Sequence, residues 1–335
     1  MIPVNPIQPV TTRPREISVV EPVNPAFARV KLMLFQPFDL GKWFVIGFCA
    51  WLAYLGEGGG GGGGGTHFNN SFGNHSHETA ADFRHGLEQA WGYVLSNLNW
   101  LIPVAVFVIL LCIALGILIL WLNCRGKFMF LHCVAMNKAE VVEPWHKFER
   151  EGNSLFWFQI VLGLIGAVLT LPILVTIAVL IFRMILRGEP DVGGIVTAAG
   201  LALVFFVLAI IFAIIKKFTV DFVVPIMFLR RGKCWAAWKE FYGLLAAHPG
   251  QFTLYILFSI VLAMGIGVLV LVFMVVTCCF CCLLLLPYVG TVVLLPVLIF
   301  KRSYPLYYFA QYGSQYDVFP PPSIPPMAGA SPSPA

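Results

Sequence analysis

Four histidines crowd one polar stretch: His67, His75, His77 and His85, with Glu78 and Asp82 among them. Imidazole nitrogen and carboxylate oxygen are ligands for zinc, copper or nickel. His75 and His77 are two positions apart, and Glu78, Asp82 and His85 fall at the helical spacing i, i+4, i+7. That pattern suits a metal gathered on an outer face. The competing reading is a solvated loop of low complexity. Glycines fill residues 58–65, and such a run is a flexible tether that does not fix ligand geometry. It is not a phosphate loop, because no Gly-Lys-Ser/Thr follows it.

A second candidate is Asp221, four residues after Lys217 and four before Pro225 in an apolar setting. A carboxylate at membrane depth is costly and marks a path for protons or solutes by default. In one reading Asp221 and Lys217 belong to a transport route, kinked one turn later by Pro225. In the other they are an i, i+4 ion pair at a helix end, where the lysine reaches the interface. A third candidate is the cysteine cluster Cys278, Cys279, Cys281 and Cys282. Metal or redox chemistry there needs thiolates in electropositive, wet surroundings. The sequence offers only apolar neighbours, which favours cysteine as a small packing residue.

No Gly-x-Ser-x-Gly, His-Glu-x-x-His or Walker pattern is present. The reading is therefore of a protein that is not an enzyme and needs no cofactor. Lys and Arg sit between apolar runs and make no nucleic-acid patch.

These residues must be positioned by elements that live in lipid. Of 335 residues, 59% are hydrophobic and only 11% are charged, against roughly a quarter charged in soluble domains. The mean hydropathy is +0.86. A spanning helix needs about 20 apolar residues, and six runs are predicted to cross: 42–55, 99–122, 155–182, 194–215, 252–276 and 283–300. The first is short. The expected class is all-α, with a disordered N-terminus over 1–24, a transmembrane domain over 25–310, an outer Gly/His loop over 56–98 and a Pro-rich tail over 311–335. The proline-laden start is not a secretory signal peptide, so insertion falls to the first spans.

Lys and Arg in the flanking segments orient the chain. The N-terminal segment, second loop and fourth loop carry five, five and six; the first, third and fifth loops carry one, two and none. The alternation predicts both termini in the cytoplasm of a bacterial inner membrane. It also requires the short first span, since without it the two basic segments fall on opposite sides.

The second and fourth loops share Trp-x-x-Phe, as Trp145/Phe148 and Trp238/Phe241. Val134, Val141, Val142, Trp145 and Phe148 are predicted on one helical face, and Cys234, Trp235, Trp238, Phe241, Tyr242 and Leu245 on another. Each is followed by a polar Gly turn, Glu151-Gly152-Asn153 or His248-Pro249-Gly250, and then by aromatics. Phe27, Val30, Leu34 and Phe35, before Pro37 and Trp43, form a looser third copy. Three parallel units of amphipathic helix plus hairpin follow. Trp145, Phe148, Trp235, Trp238 and Phe241 would meet lipid headgroups. The alternative is juxtamembrane helices packed on the bundle.

At Arg125-Gly126-Lys127-Phe128-Met129-Phe130-Leu131, Pro144-Trp145, Gly152-Asn153-Ser154-Leu155-Phe156 and Tyr316-Asp317-Val318-Phe319-Pro320, the chain resembles an uncharacterised family of bacterial multi-pass membrane proteins. Its layout is also similar to the membrane domain beside some glycerophosphodiester phosphodiesterases. The first resemblance implies no activity. The second implies none either, because the catalytic barrel is missing. The expectation is a membrane-organising or scaffold protein whose partners are lipids, other proteins or a second copy. The rival is a small-solute transporter or channel with Asp221 near the path.

Overall fold

The computed structural model describes residues 17–36, 38–56, 98–187, 192–276 and 287–319. The four histidines of the Gly/His stretch and the cysteines at 278–282 lie outside them. Among the described residues the structure is helical, with no strand. In chain order the helices are α1 (Val23–Phe35), α2 (Leu40–Tyr54), α3 (Leu98–Met136), α4 (Val142–Lys147), α5 (Glu149–Arg187) and α6 (Val192–Phe218). A π-helical turn (Thr219–Val223) follows, then α7 (Val224–Arg230), α8 (Cys234–Ala247), α9 (Pro249–Val276), α10 (Pro287–Val293) and α11 (Leu295–Ala310).

Among the described residues four helices are long and apolar enough to cross a membrane: α3, α5, the continuous run through α6 and α7, and α9. No residue in the most apolar 18-residue window of each is buried inside the protein. So much contiguous apolar surface is untenable in water, and hydrocarbon is its natural solvent. Lipid also explains why these runs are helical, since each backbone group finds its partner within its own segment. Pro172 lies inside α5 without ending it.

The first and sixth predicted spans are less extended. α2 has 15 residues, about 22 Å of helix against a hydrocarbon core of about 30 Å. It runs antiparallel to the second half of α3. Lys42 Nζ donates to Asn137 Oδ1 at 2.9 Å, Cys49 and Cys133 Sγ lie 3.8 Å apart, and the Asn123 amide donates to the carbonyls of Ala53 and Leu55 at 2.7 and 3.0 Å. Gly126 permits this approach, because a Cβ there would meet the Leu52 carbonyl carbon at 2.5 Å. The sixth run is divided at Leu294 between α10 and α11, and residues 283–286 fall outside the described residues.

Beyond the exposed stretches the helices meet in a packed base. Phe222 is its hub, stacked on Phe241 at 5.2 Å and edge-on to Phe252 and Tyr255 at 5.3 and 5.0 Å. Arg29 on α1 donates to the carbonyls of Val134 and Ala135 at 2.7 Å, closing the C-terminal end of α3. Ser18 and Gln311 exchange two hydrogen bonds of 2.8 and 2.9 Å, which brings the two ends of the described chain together.

Two local expectations are corrected. The face Val134 to Phe148 is not one helix. α3 ends at Met136, Asn137 turns left-handed at φ 56°, and Trp145 belongs to the six-residue α4. The polar turn expected at Gly152 is likewise absent, and α5 runs through it. Gly152 instead lets α5 close on Arg125, whose Cγ a Cβ would meet at 3.1 Å.

Candidate functional site

Asp221 sits where the backbone is irregular. Pro225 has no N–H to give the carbonyl four residues back, which is that of Asp221, and its ring crowds that carbonyl. The helix responds by widening to a π turn over Thr219–Val223, a feature common at functional sites. Asp221 is in that turn and only 9% exposed. Its Oδ2 accepts from Lys217 Nζ at 2.8 Å and from the Tyr255 hydroxyl at 2.8 Å. Buried Arg302 donates from Nη1 to the Val220 carbonyl at 2.7 Å, holding the turn from α11.

α11 carries Tyr304 and Tyr308 one turn apart on one face, and Tyr312, in the turn just past its end, continues the four-residue spacing. Tyr304 and Tyr308 stack on the Tyr255 ring at 5.9 and 4.7 Å. Tyr308 donates to the Gln251 carbonyl at 3.0 Å, and Tyr304 to that of Val19 at 2.9 Å. Burial raises the Tyr304 and Tyr312 phenols above their ordinary range, so both stay protonated donors.

A cavity of about 220 Å³ opens beside this cluster. Lys217, Asp221, Tyr255, Lys301 and Tyr304 form its polar wall, and Leu262 and Ile266 of α9 its apolar one. The arrangement can hold a charged polar group against the lysines with an apolar chain along α9. It can also keep a carboxylate poised to exchange a proton.

The sequence reading places Lys217 and Asp221 here, and the structure joins them. It misses Tyr255, Lys301, Arg302 and Tyr304. The signal for the last was the Tyr304, Tyr308, Tyr312 repeat, which no loop or membrane edge requires.

The aromatic residues expected at headgroups take different places. Phe148 is 3% exposed and lies between Phe128 and Phe228 at 5.9 and 4.8 Å; Phe241 is fully buried beside Phe222. Burial in protein removes both from any lipid surface. The hydrophobic face that reads as lipid-seeking is satisfied by the base. Trp238 stacks on Phe158 at 6.0 Å. Trp145 meets Trp121 edge-on at 5.8 Å, and the Arg125 guanidinium sits in the corner the two rings make, 4.8 and 4.4 Å from their centroids. Arg125 also pairs with Glu149 at 3.0 Å. Trp235 alone of the five is strongly exposed, at 77%.

A model of one protein family matches residues 17–295 of this chain. The chain belongs to DUF7544, a family of unknown function. The family region holds all four long apolar helices together with Lys217, Asp221 and Tyr255, and it ends before Lys301, Arg302 and Tyr304. No curated protein and no solved structure matches the chain. Membership in the family supplies no activity and no link to glycerophosphodiester phosphodiesterases.

Proposed function

We propose that this integral membrane protein is not an enzyme and that it engages phosphate-bearing lipid headgroups where its apolar helices meet the packed base, organising lipid or partner proteins there. The supporting observation is the two-sided cavity. Lys217 and Lys301 offer ammonium groups at one end, while Leu262 and Ile266 line the other. The hydroxyl hydrogens of Tyr255 and Tyr304 are already given to Asp221 and Val19, so the two tyrosines shape the wall and the lysines supply the donors. A phosphate takes charge-assisted hydrogen bonds from such donors, and cationic groups at the membrane surface attract anionic lipid. Lipid contact thus moves from the Trp and Phe faces of the short helices to the side of α9 and α11.

The test is lipid retention. Native mass spectrometry of the detergent-solubilised protein should find bound phospholipid, and Lys301→Ala with Lys217→Ala should strip it. Equal retention in the double variant would defeat the proposal.

The π turn around a buried carboxylate favours a second reading, a small-solute transporter or channel with Asp221 at the path. Asp221→Asn separates the two. Specific loss of flux at normal expression speaks for transport, whereas a lipid-organising protein keeps its function.

For threading we propose six crossings, the four long helices plus the two short apolar segments at 42–55 and 283–300, with both termini in the cytoplasm of a bacterial inner membrane. The alternation of Lys and Arg supports this, as does the pairing of Ser18 with Gln311. A second copy of the chain or other membrane proteins are the partners this reading allows.

A further inference from the structure

Where α3 gives way to α4, three potential metal ligands converge. His132 lies one turn before the end of α3, Glu140 in the connection and Glu143 in the first turn of α4. The left-handed Asn137, at φ 56°, reverses the chain so that Glu140 folds back over the helix end. Cys133 Sγ donates to the Glu140 carbonyl at 3.5 Å and pins that return. One ligand atom from each of His132, Glu140 and Glu143 lies within 4.8 Å of the other two.

Acidic side chains near a histidine are common, so the state of the imidazole decides the matter. His132 is 3% exposed. Neither ring nitrogen has a hydrogen-bond partner, nor does the buried Oε2 of Glu140, 3.9 Å from Nε2. Phe148 and Phe228 flank the ring at 5.9 and 6.3 Å. A buried polar ring without partners is unfavourable, and it sits against two carboxylates. Lys138 and Lys147 are also present, 3.5 Å from Glu140 and Glu143, but both are solvent-exposed and such pairs are weak.

We propose that His132, Glu140 and Glu143 form a site for one divalent transition cation, zinc foremost. One imidazole nitrogen and two carboxylate oxygens suit zinc, with water completing the shell on the exposed Glu143 side. Zinc ligands stand about 2.1 Å from the ion, so tetrahedral donors lie roughly 3.4 Å apart. The two glutamates reach that spacing by side-chain rotation, and the surface lysines swing away. The cation would lock the end of α3 to the start of α4, and through Phe148 to the aromatic stack of the base.

The experiment uses the full chain in detergent, with His67, His75, His77 and His85 all changed to Asn so that the polar stretch contributes no signal. After chelator treatment the protein is titrated with Zn²⁺ by calorimetry. One equivalent should bind at micromolar concentration or below. Glu140→Gln and Glu143→Gln should each weaken binding about tenfold or more, and His132→Gln should abolish it. Replacing buried His132 can disturb folding, so the glutamate variants carry the test. Glu143 is exposed, and its variant should melt like the parent without metal. No heat at micromolar zinc, or binding that neither glutamate substitution weakens, would overturn the site.

Discussion

Tyr255 donates its hydroxyl hydrogen to Asp221 at 2.8 Å from 34 residues away along the chain. This bond ties α9 to the π turn that follows α6, and it gives a buried carboxylate a second donor beside Lys217. A hydrogen bond to a charged group contributes about 1.5–3 kcal/mol. Tyr255→Phe keeps the ring stacking and removes only the donor. It should lower stability by about 1–2 kcal/mol, read as a drop in thermal midpoint of the detergent-solubilised protein. Asp221→Asn should cost less, because an amide oxygen still accepts from Tyr255. An unchanged melt for Tyr255→Phe would contradict the geometry.

Gly126 should tolerate no side chain. A Cβ there meets the Leu52 backbone at 2.5 Å and the Ala53 nitrogen at 2.6 Å, and backbone cannot swing aside as a side-chain tip can. Gly126→Ala should cost about 1–3 kcal/mol, and Gly126→Leu should lift α2 off α3, breaking the Asn123 bonds. Limited proteolysis between α2 and α3 would report it. Gly116→Leu is the control, since nothing lies within 4 Å of its Cβ position.

Arg125 should not be replaceable by lysine. Its guanidinium lies at 4.4 and 4.8 Å from the Trp121 and Trp145 rings and bonds Glu149 at 3.0 Å. The cation lies over both ring faces in the corner the two indoles make, and a planar guanidinium can lie flat on one of them, whereas an ammonium offers no flat face. Arg125→Lys should destabilise by about 1–2 kcal/mol, nearly as much as Arg125→Ala. The tryptophan emission should shift to longer wavelength as the pair opens. A lysine variant as stable as the parent would refute this role for the guanidinium.

The four long helices were legible in the sequence because their signal is local: each is a long apolar run. The Lys217–Asp221 pair was legible for the same reason, being one helical turn apart. Tyr255 was not, since it reaches Asp221 through tertiary packing. Phe148 and Phe241 show the other limit. An apolar stripe states that a face must leave water, and whether lipid or protein receives it depends on the rest of the chain. The break at Asn137 was hidden because Val141 and Val142 continue the apolar pattern past it, while the left-handed residue carries no hydrophobic signal. His132 was passed over because its partners Glu140 and Glu143 lie across that break.

The account rests on four helices standing in hydrocarbon with the packed base and both chain ends on one side. Reporters fused at Met1 and Ala335 and inserted after Thr66 test it directly in sealed membrane vesicles of known orientation. The account predicts that the Met1 and Ala335 reporters share the cytoplasmic side and that the Thr66 reporter is exposed on the opposite one. Terminal reporters found on opposite faces would contradict it.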